Sequence, residues 1–232
     1  MNPWLTFSLI LLGIWTLIWI VKPSVRKEML WVSIVTAPLG LTEPMFVPEY
    51  WNPPSLFDLA ARTGFDIESL IFCFAVGGIG AVLYETFGNA EHVKMGGYEM
   101  HASRHKFHKV MLMSPIIVFL PLYFFTGLNP IYTSSIAMLI GSLAAMLCRP
   151  DLIKKICLGS LLFLGVYFIF FFSFNLVYPG IVEQVWNLNA ISGILILGVP
   201  LEELMFAVTF GGLWSSYYEH ITWSKVIERK EG

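Results

Sequence analysis

The sequence predicts an all-α membrane protein of seven transmembrane helices, arranged as two parallel three-helix repeats joined by a linking helix. Three observations carry that expectation: the share of apolar residues, the alternation of basic connections, and an internal match at a fixed offset. Hydrophobic residues make up 56% of the 232, charged residues only 13%, and mean hydropathy is +0.71. A water-soluble chain of this length could not hide so much apolar surface from solvent. Lipid is the natural environment.

Apolar runs near the length of a bilayer crossing fall at about 3–21, 29–46, 67–87, 110–126, 131–148, 156–177 and 191–218. The first is longer than a signal-peptide core, has no basic residue before it and ends at Lys22-Pro23 without a small-residue cleavage pattern, so it reads as a retained first span. Basic residues gather in alternate connections: Lys22, Arg26 and Lys27; Lys94, Arg104, Lys106 and Lys109; Arg149, Lys154 and Lys155; Lys225, Arg229 and Lys230. Arg62 alone falls on the other side. By the positive-inside rule the expected location is the cell membrane, with the N-terminus outside and the C-terminus cytoplasmic. The opposite connections carry Glu49, Asp58, Asp66 and Glu183 among aromatics and prolines, which suits short interfacial turns. A net charge of −2 gives no reason to expect nucleic acid. Cys73, Cys148 and Cys157 form neither a disulfide framework nor a CxxC metal pattern, and read as small apolar filler.

An offset of 134 (202 − 68) lays Glu68, Leu70 and Phe72 over Glu202, Leu204 and Phe206. The same offset lays Gly77-Gly78 over Gly211-Gly212 and Tyr84-Glu85 over Tyr218-Glu219, while Trp51-Asn52 answers Trp186-Asn187 at nearly that distance. Spans one to three, in residues 1–108, then correspond to spans five to seven, in 131–232. A fourth span in 109–130 returns the chain so that both units run in the same sense. The expected axis is a pseudo-twofold along the membrane normal, with the two glutamate-bearing helices facing one another across it and the glycine pairs permitting their close approach.

Glu68 and Glu202 lie about one turn into the third and seventh spans, and Glu203 follows directly. A carboxylate there is costly unless paired, hydrated or protonated, so each is a candidate for proton chemistry. The competing reading is a helix cap, helped by Asp66 or Pro200. Glu43 sits in the otherwise apolar second span, before Pro44, and reads either as a third acid or as an interfacial residue exposed to water. Aromatic rings at Trp51, Trp186, Phe72, Phe206, Tyr50 and Tyr218 could stabilise a cation, although most such rings serve as belt and packing residues. His101, His105 and His108 share a face if their connection is helical, and HxxxH spacing can bind metal. With five histidines in the chain the expectation is no metal and a solvated basic face before the fourth span.

The run Trp51-Asn52-Pro53 with Asp66-Ile67-Glu68, and above all Gly198-Val199-Pro200-Leu201-Glu202-Glu203-Leu204-Met205-Phe206, resembles the lycopene cyclase domain of the integral-membrane carotenoid cyclases in its fused two-unit form. The first unit has Asp66 at the family's proline and Ser69 at its second glutamate; the second has Leu188 where Pro53 stands in the first. The resemblance implies that Glu202 or Glu68, with Glu203 and Glu43 nearby, protonates the end of a linear carotenoid drawn from the lipid phase, and that a carboxylate then removes a proton to leave a β-ionone ring. It further implies that Trp51, Asn52, Trp186, Asn187, Phe72, Phe206 and Pro200 shape the substrate site. The change involves no net redox step, so no cofactor is expected; Gly77-Gly78-Ile79-Gly80 lies mid-helix and lacks the last glycine of a dinucleotide fingerprint.

Rival classes have their own requirements. A prenyl-protein protease would need arginine where Ala207 stands, and a retinal protein would need a lysine between Lys155 and Lys225, where there is none. A hydratase sharing the protonation step, a non-catalytic carotenoid or lipid binder, and a proton-coupled transporter remain as alternatives.

Overall fold

Asn2 and Asn129 each precede a proline, and each caps the helix that follows. In the computed structural model, which describes residues 2–88 and 90–228, the Asn2 carboxamide accepts from the Trp4 and Leu5 amides at 2.9 and 3.3 Å, and that of Asn129 from the Ile131 amide at 3.2 Å. The helices they start are α1 (Pro3–Val21) and, later in the chain, Pro130–Cys148. Proline suits the first helical position because its missing N–H would have had no partner there.

From α1 the chain turns into α2 (Arg26–Thr36), which continues as a 3-10 segment over Ala37–Met45. Pro38 and Pro44 cannot donate to an α-helical ladder, so the second apolar run of the sequence is not one continuous α-helix. A short α3 (Leu59–Thr63) leads to α4 (Ile67–Phe87), whose cap is Asp66. Then follow β1 (Ala90–Lys94), the single turn α5 (Gly97–Met100) and α6 (His108–Phe125). The second half has α7 (Pro130–Cys148), α8 (Ile153–Val177), short α9 (Ile181–Val185), a hairpin of β2 (Leu195–Ile196) and β3 (Val199–Pro200), α10 (Leu201–Thr222) and β4 (Ser224–Glu228). The last apolar run therefore opens as a hairpin, and its helix begins at Leu201 rather than near 191.

Among the described residues, five helical stretches are long and apolar enough to cross a membrane: Pro3–Val21, Ile67–Phe87, Ser103–Phe125, Pro130–Cys148 and Pro150–Val177. Leu17, Ile20, Leu147, Leu161, Ile169 and Phe125 are among their exposed side chains, as lipid-facing positions require. α10 is of similar length but carries Glu202, Glu203 and Glu219, all buried. It can be less apolar than its neighbours because α4, α7 and α8 surround it.

The packing pattern recurs. α1 and α2 pack on α4, and α7 and α8 pack on α10. The glycine pairs explain how, and correct the expectation that they face the partner unit. A methyl group at Gly77 would collide with Thr36 of α2, and one at Gly78 with Trp15 of α1 and Ser33 of α2. At Gly211 it would meet Phe163 of α8 at 2.6 Å, and at Gly212 Ser142 of α7 at 3.2 Å. The pairs seat each central helix within its own unit; the approach of α4 to α10 runs instead through Gly80 against Phe210.

Two backbone pairings join the halves at opposite ends. At one end Trp51 and Trp186 form an antiparallel bridge, with Asn52 N donating to Val185 O at 2.8 Å and Asn187 N to Tyr50 O at 2.9 Å. At the other, β1 and β4 pair antiparallel in a register that sets His92 opposite Val226. That end also carries eleven of the thirteen clustered basic residues, Lys155 among them; Arg229 and Lys230 lie outside the described residues.

Candidate active site

A cavity of about 430 Å³ lies between the halves, near the Trp51 end. Its wall is apolar and aromatic, with Phe46, Trp51, Phe72, Phe206, Phe210 and Trp214 contributing rings, and α6 closing one side through Pro115, Ile116, Phe119 and Leu120. Phe210 and Trp214 are stacked at 4.2 Å, and Phe206 leans on Phe210 at 5.1 Å. Two carboxyl groups reach this cavity, those of Glu43 and Glu203.

Glu203, in the first turn of α10, is held by three donors. Oε1 accepts from the Tyr50 hydroxyl at 2.5 Å and the Trp186 indole N–H at 2.8 Å; Oε2 accepts from the Tyr167 hydroxyl at 2.7 Å. An indole nitrogen can only donate. Burial, and after it the Glu203 carboxylate alongside, push the Tyr50 phenol well above its ordinary pKa, so that hydroxyl stays protonated and donates as well. The Trp51–Trp186 bridge places Tyr50 and Trp186 side by side, and α8 supplies Tyr167.

Glu43 reaches the cavity from the 3-10 segment. Gly40 permits this, since a methyl group there would lie 2.7 Å from the backbone of Ser69 and Leu70; the segment therefore rests directly on the first turn of α4. Glu43 Oε2 accepts from the Ser69 hydroxyl at 2.8 Å, and the same serine meets Asp66 through its amide. Asp66 Oδ1 caps α4 through the Ser69 amide at 2.5 Å, while Glu43 Oε1 and Asp66 Oδ2 are buried without a donor.

Glu68 and Glu202 point elsewhere, in the same way as each other. Glu68 Oε1 accepts from the Leu56 amide at 2.7 Å and the Asn2 carboxamide at 3.4 Å; Glu202 Oε1 accepts from the Ser192 amide at 2.9 Å and the Tyr132 hydroxyl at 2.5 Å. Each ties the loop before its helix to the start of its unit's first helix. Among the expected substrate contacts, Trp51, Phe72 and Phe206 line the cavity, while Trp186 stands behind Glu203. Asn52 and Asn187 serve the bridge through their backbones, and Pro200 pairs with Leu195 at the head of α10.

Ser69, Asp66, Tyr50 and Tyr167 form the polar surroundings of the two cavity carboxyls. Ser69 was visible in the sequence as a departure, standing where α10 has Glu203 at the 134-residue offset. The departure is filled in space, because Glu43 brings a carboxyl to that hydroxyl.

Residues 129–221 match the family model for lycopene cyclase. The lycopene cyclase match runs from the cap of α7 to near the end of α10 and includes Tyr167, Trp186, Glu202 and Glu203. Glu43, Tyr50, Asp66 and Ser69 lie outside it. No curated protein and no solved structure matches the chain.

At the opposite end a second buried cluster has a different make-up. Lys155 Nζ is in salt-bridge contact with Glu28 at 3.3 Å and, closer still, with Glu85 and Glu219. His92 Nε2 lies 2.5 Å from Glu219 and 3.3 Å from Glu28. The three carboxylates could also hold a metal, but the ammonium already stands among them.

Proposed function

We propose that the chain is a membrane carotenoid cyclase that closes β-ionone rings on the ends of a linear carotenoid by proton addition and proton loss. The observation that carries the reading is the cavity itself: two carboxyls with different surroundings face one aromatic chamber. Glu43 is assigned the acid. Its Oε1 is buried without a donor, a setting in which the neutral acid costs less than the carboxylate, and the Ser69 hydroxyl orients the group. Delivery of that proton to the terminal alkene leaves a tertiary cation, which a second double bond along the chain attacks to close the ring. Loss of a neighbouring proton then forms the ring alkene. One proton enters and one leaves, so the product is an isomer of the substrate.

Glu203, accepting from three donors, is assigned the carboxylate that balances the cation and takes up the departing proton; Phe206, Phe210 and Trp214 present ring faces to the charge. This reading moves the proton chemistry from Glu68 and Glu202 to Glu43 and Glu203. An apolar wall with little to hold water favours ring closure over hydration. The recurring packing and the two pairings between halves support seven crossings about a pseudo-twofold axis. The His92–Val226 register repeats the 134-residue offset (226 − 92), as strands related by a twofold must when they pair across it. The basic residues at the Lys155 end support a cytoplasmic C-terminus.

Expression in a lycopene-accumulating bacterium, with chromatography of the pigments, tests the activity. Ring-bearing products of unchanged mass are expected. Unaltered lycopene beside folded, membrane-inserted protein would overturn the reading, and a product heavier by one water would make the protein a hydratase.

A further inference from the structure

The histidine-bearing connection before α6 is not a solvated face. His101 is exposed, but His105 and His108 are buried, and both rings turn a nitrogen toward the buried thiol of Cys148 at the end of α7. His105 Nδ1 lies 3.4 Å from Cys148 Sγ, and His108 Nδ1 lies 3.5 Å from it. Zinc bonds of about 2.0–2.1 Å to nitrogen and 2.3 Å to sulfur, set at a tetrahedral angle, put ligand nitrogen and sulfur roughly 3.5 Å apart. Both nitrogen–sulfur spacings are those of edges of such a site, the three ligand atoms lie within 4.8 Å of one another, and their donor set of two imidazoles and a thiolate suits the same metal.

We propose that His105, His108 and Cys148 bind a single zinc ion through the two Nδ1 atoms and the sulfur. A second observation supports it. His220 of α10 is 2% exposed, its ring stands edge-on to His108 at 4.5 Å, and its Nε2 has no hydrogen-bond partner. It is a buried, unpartnered imidazole beside the group, to which a zinc-bound water could donate. Trp223 stacks on His108 at 3.9 Å and covers the group. Two neighbours oppose it: the buried Arg149 guanidinium, whose charge reaches His105, His108 and His220 but is paired with Asp151 at 2.7 Å, and Arg104, whose Nε lies 3.3 Å from His105 Nε2, the nitrogen that would carry the proton once Nδ1 is bound. Arg104 is exposed and can withdraw into water. On binding, the Cys148 thiol gives its proton to solvent.

The site would act as a clamp. Among the larger interhelical contacts α6 packs on α7 alone, yet it forms one wall of the cavity. Zinc at its first residue fastens it to the ends of α7 and α10. The proposal does not depend on cyclase activity, and its test does not use it.

The full chain, purified in detergent from zinc-replete cells, should retain one zinc per molecule by elemental analysis. After chelation and reloading with cobalt(II) it should show a sulfur-to-cobalt charge-transfer band, and chelation alone should speed hydrogen exchange in α6. Cys148→Ser should abolish the band, His108→Gln should weaken zinc retention at least ~10-fold, and His101→Gln should alter neither. Folded wild-type protein that holds no zinc and gives no cobalt band overturns the site, as does zinc retention indifferent to Cys148→Ser. Copper retained in place of zinc overturns the assignment of the metal. If the variants fail to fold, the wild-type zinc content and cobalt band decide alone.

Discussion

The two ends of the bundle both bury glutamates, and they neutralise them differently. At the Lys155 end, Glu28, Glu85 and Glu219 surround an ammonium, and His92 adds a second cationic partner when protonated. At the cavity end, hydroxyls and an indole hydrogen-bond to Glu43 and Glu203, and no cation among the described residues pairs with either. A carboxylate locked to an ammonium is poorly suited to trade protons with an alkene. One that faces an apolar chamber, with only neutral donors around it, has that chemistry open to it. The difference separates a fastening from the proposed reactive centre, although both would look alike in a census of buried acids.

The comparison can be broken most severely at the fastening. Lys155→Met leaves three buried carboxylates without their ammonium and should cost about 3–5 kcal/mol of stability. The expected result is loss of monodisperse protein after detergent extraction; adding Glu85→Gln should restore part of it. At the cavity end the effects should fall on turnover instead. Glu203→Gln keeps the size of the side chain but not its charge, and should lower ring formation by about 10²- to 10⁴-fold with little change in thermal unfolding. Glu43→Gln should lower it by about 10²-fold or more, and Asp66→Asn should show a smaller loss in the same assay. Equal activity of wild type and Glu43→Gln would remove the proposed acid.

Glu202→Gln sharpens the contrast between adjacent residues. Its oxygen holds the Ser192 amide and the Tyr132 hydroxyl outside the cavity, so the change should cost about 1 kcal/mol in thermal unfolding and leave ring formation within a few-fold. The smallest effect is expected at the half-exposed Glu99–Lys225 pair. The lysine hydrogen bond holds the Glu99 carboxyl below the usual range, so the tie exists at neutral pH and is lost as pH falls through that lowered value. Glu99→Gln should leave the unfolding temperature at pH 7 unchanged, because screened surface pairs contribute little.

Much of this was legible in the sequence because it depends on local composition. Apolar runs of bilayer length mark the helices of a membrane protein, and the Gly198–Phe206 motif pointed to the family that the match over residues 129–221 supports. The acids and several of the rings were visible as residues. Their orientation was not: Glu202 and Glu203 are neighbours in sequence, yet consecutive positions on a helix lie about 100° apart, so one ties down a loop while the other enters the cavity. The place of Glu43 depended on a 3-10 segment and on Gly40 resting against α4. The burial of His105 and His108 depended on Cys148, forty residues further on. Local sequence determined which segments are helical and greasy; which polar groups meet inside them was decided by packing between segments far apart in the chain, and no periodicity records that distance.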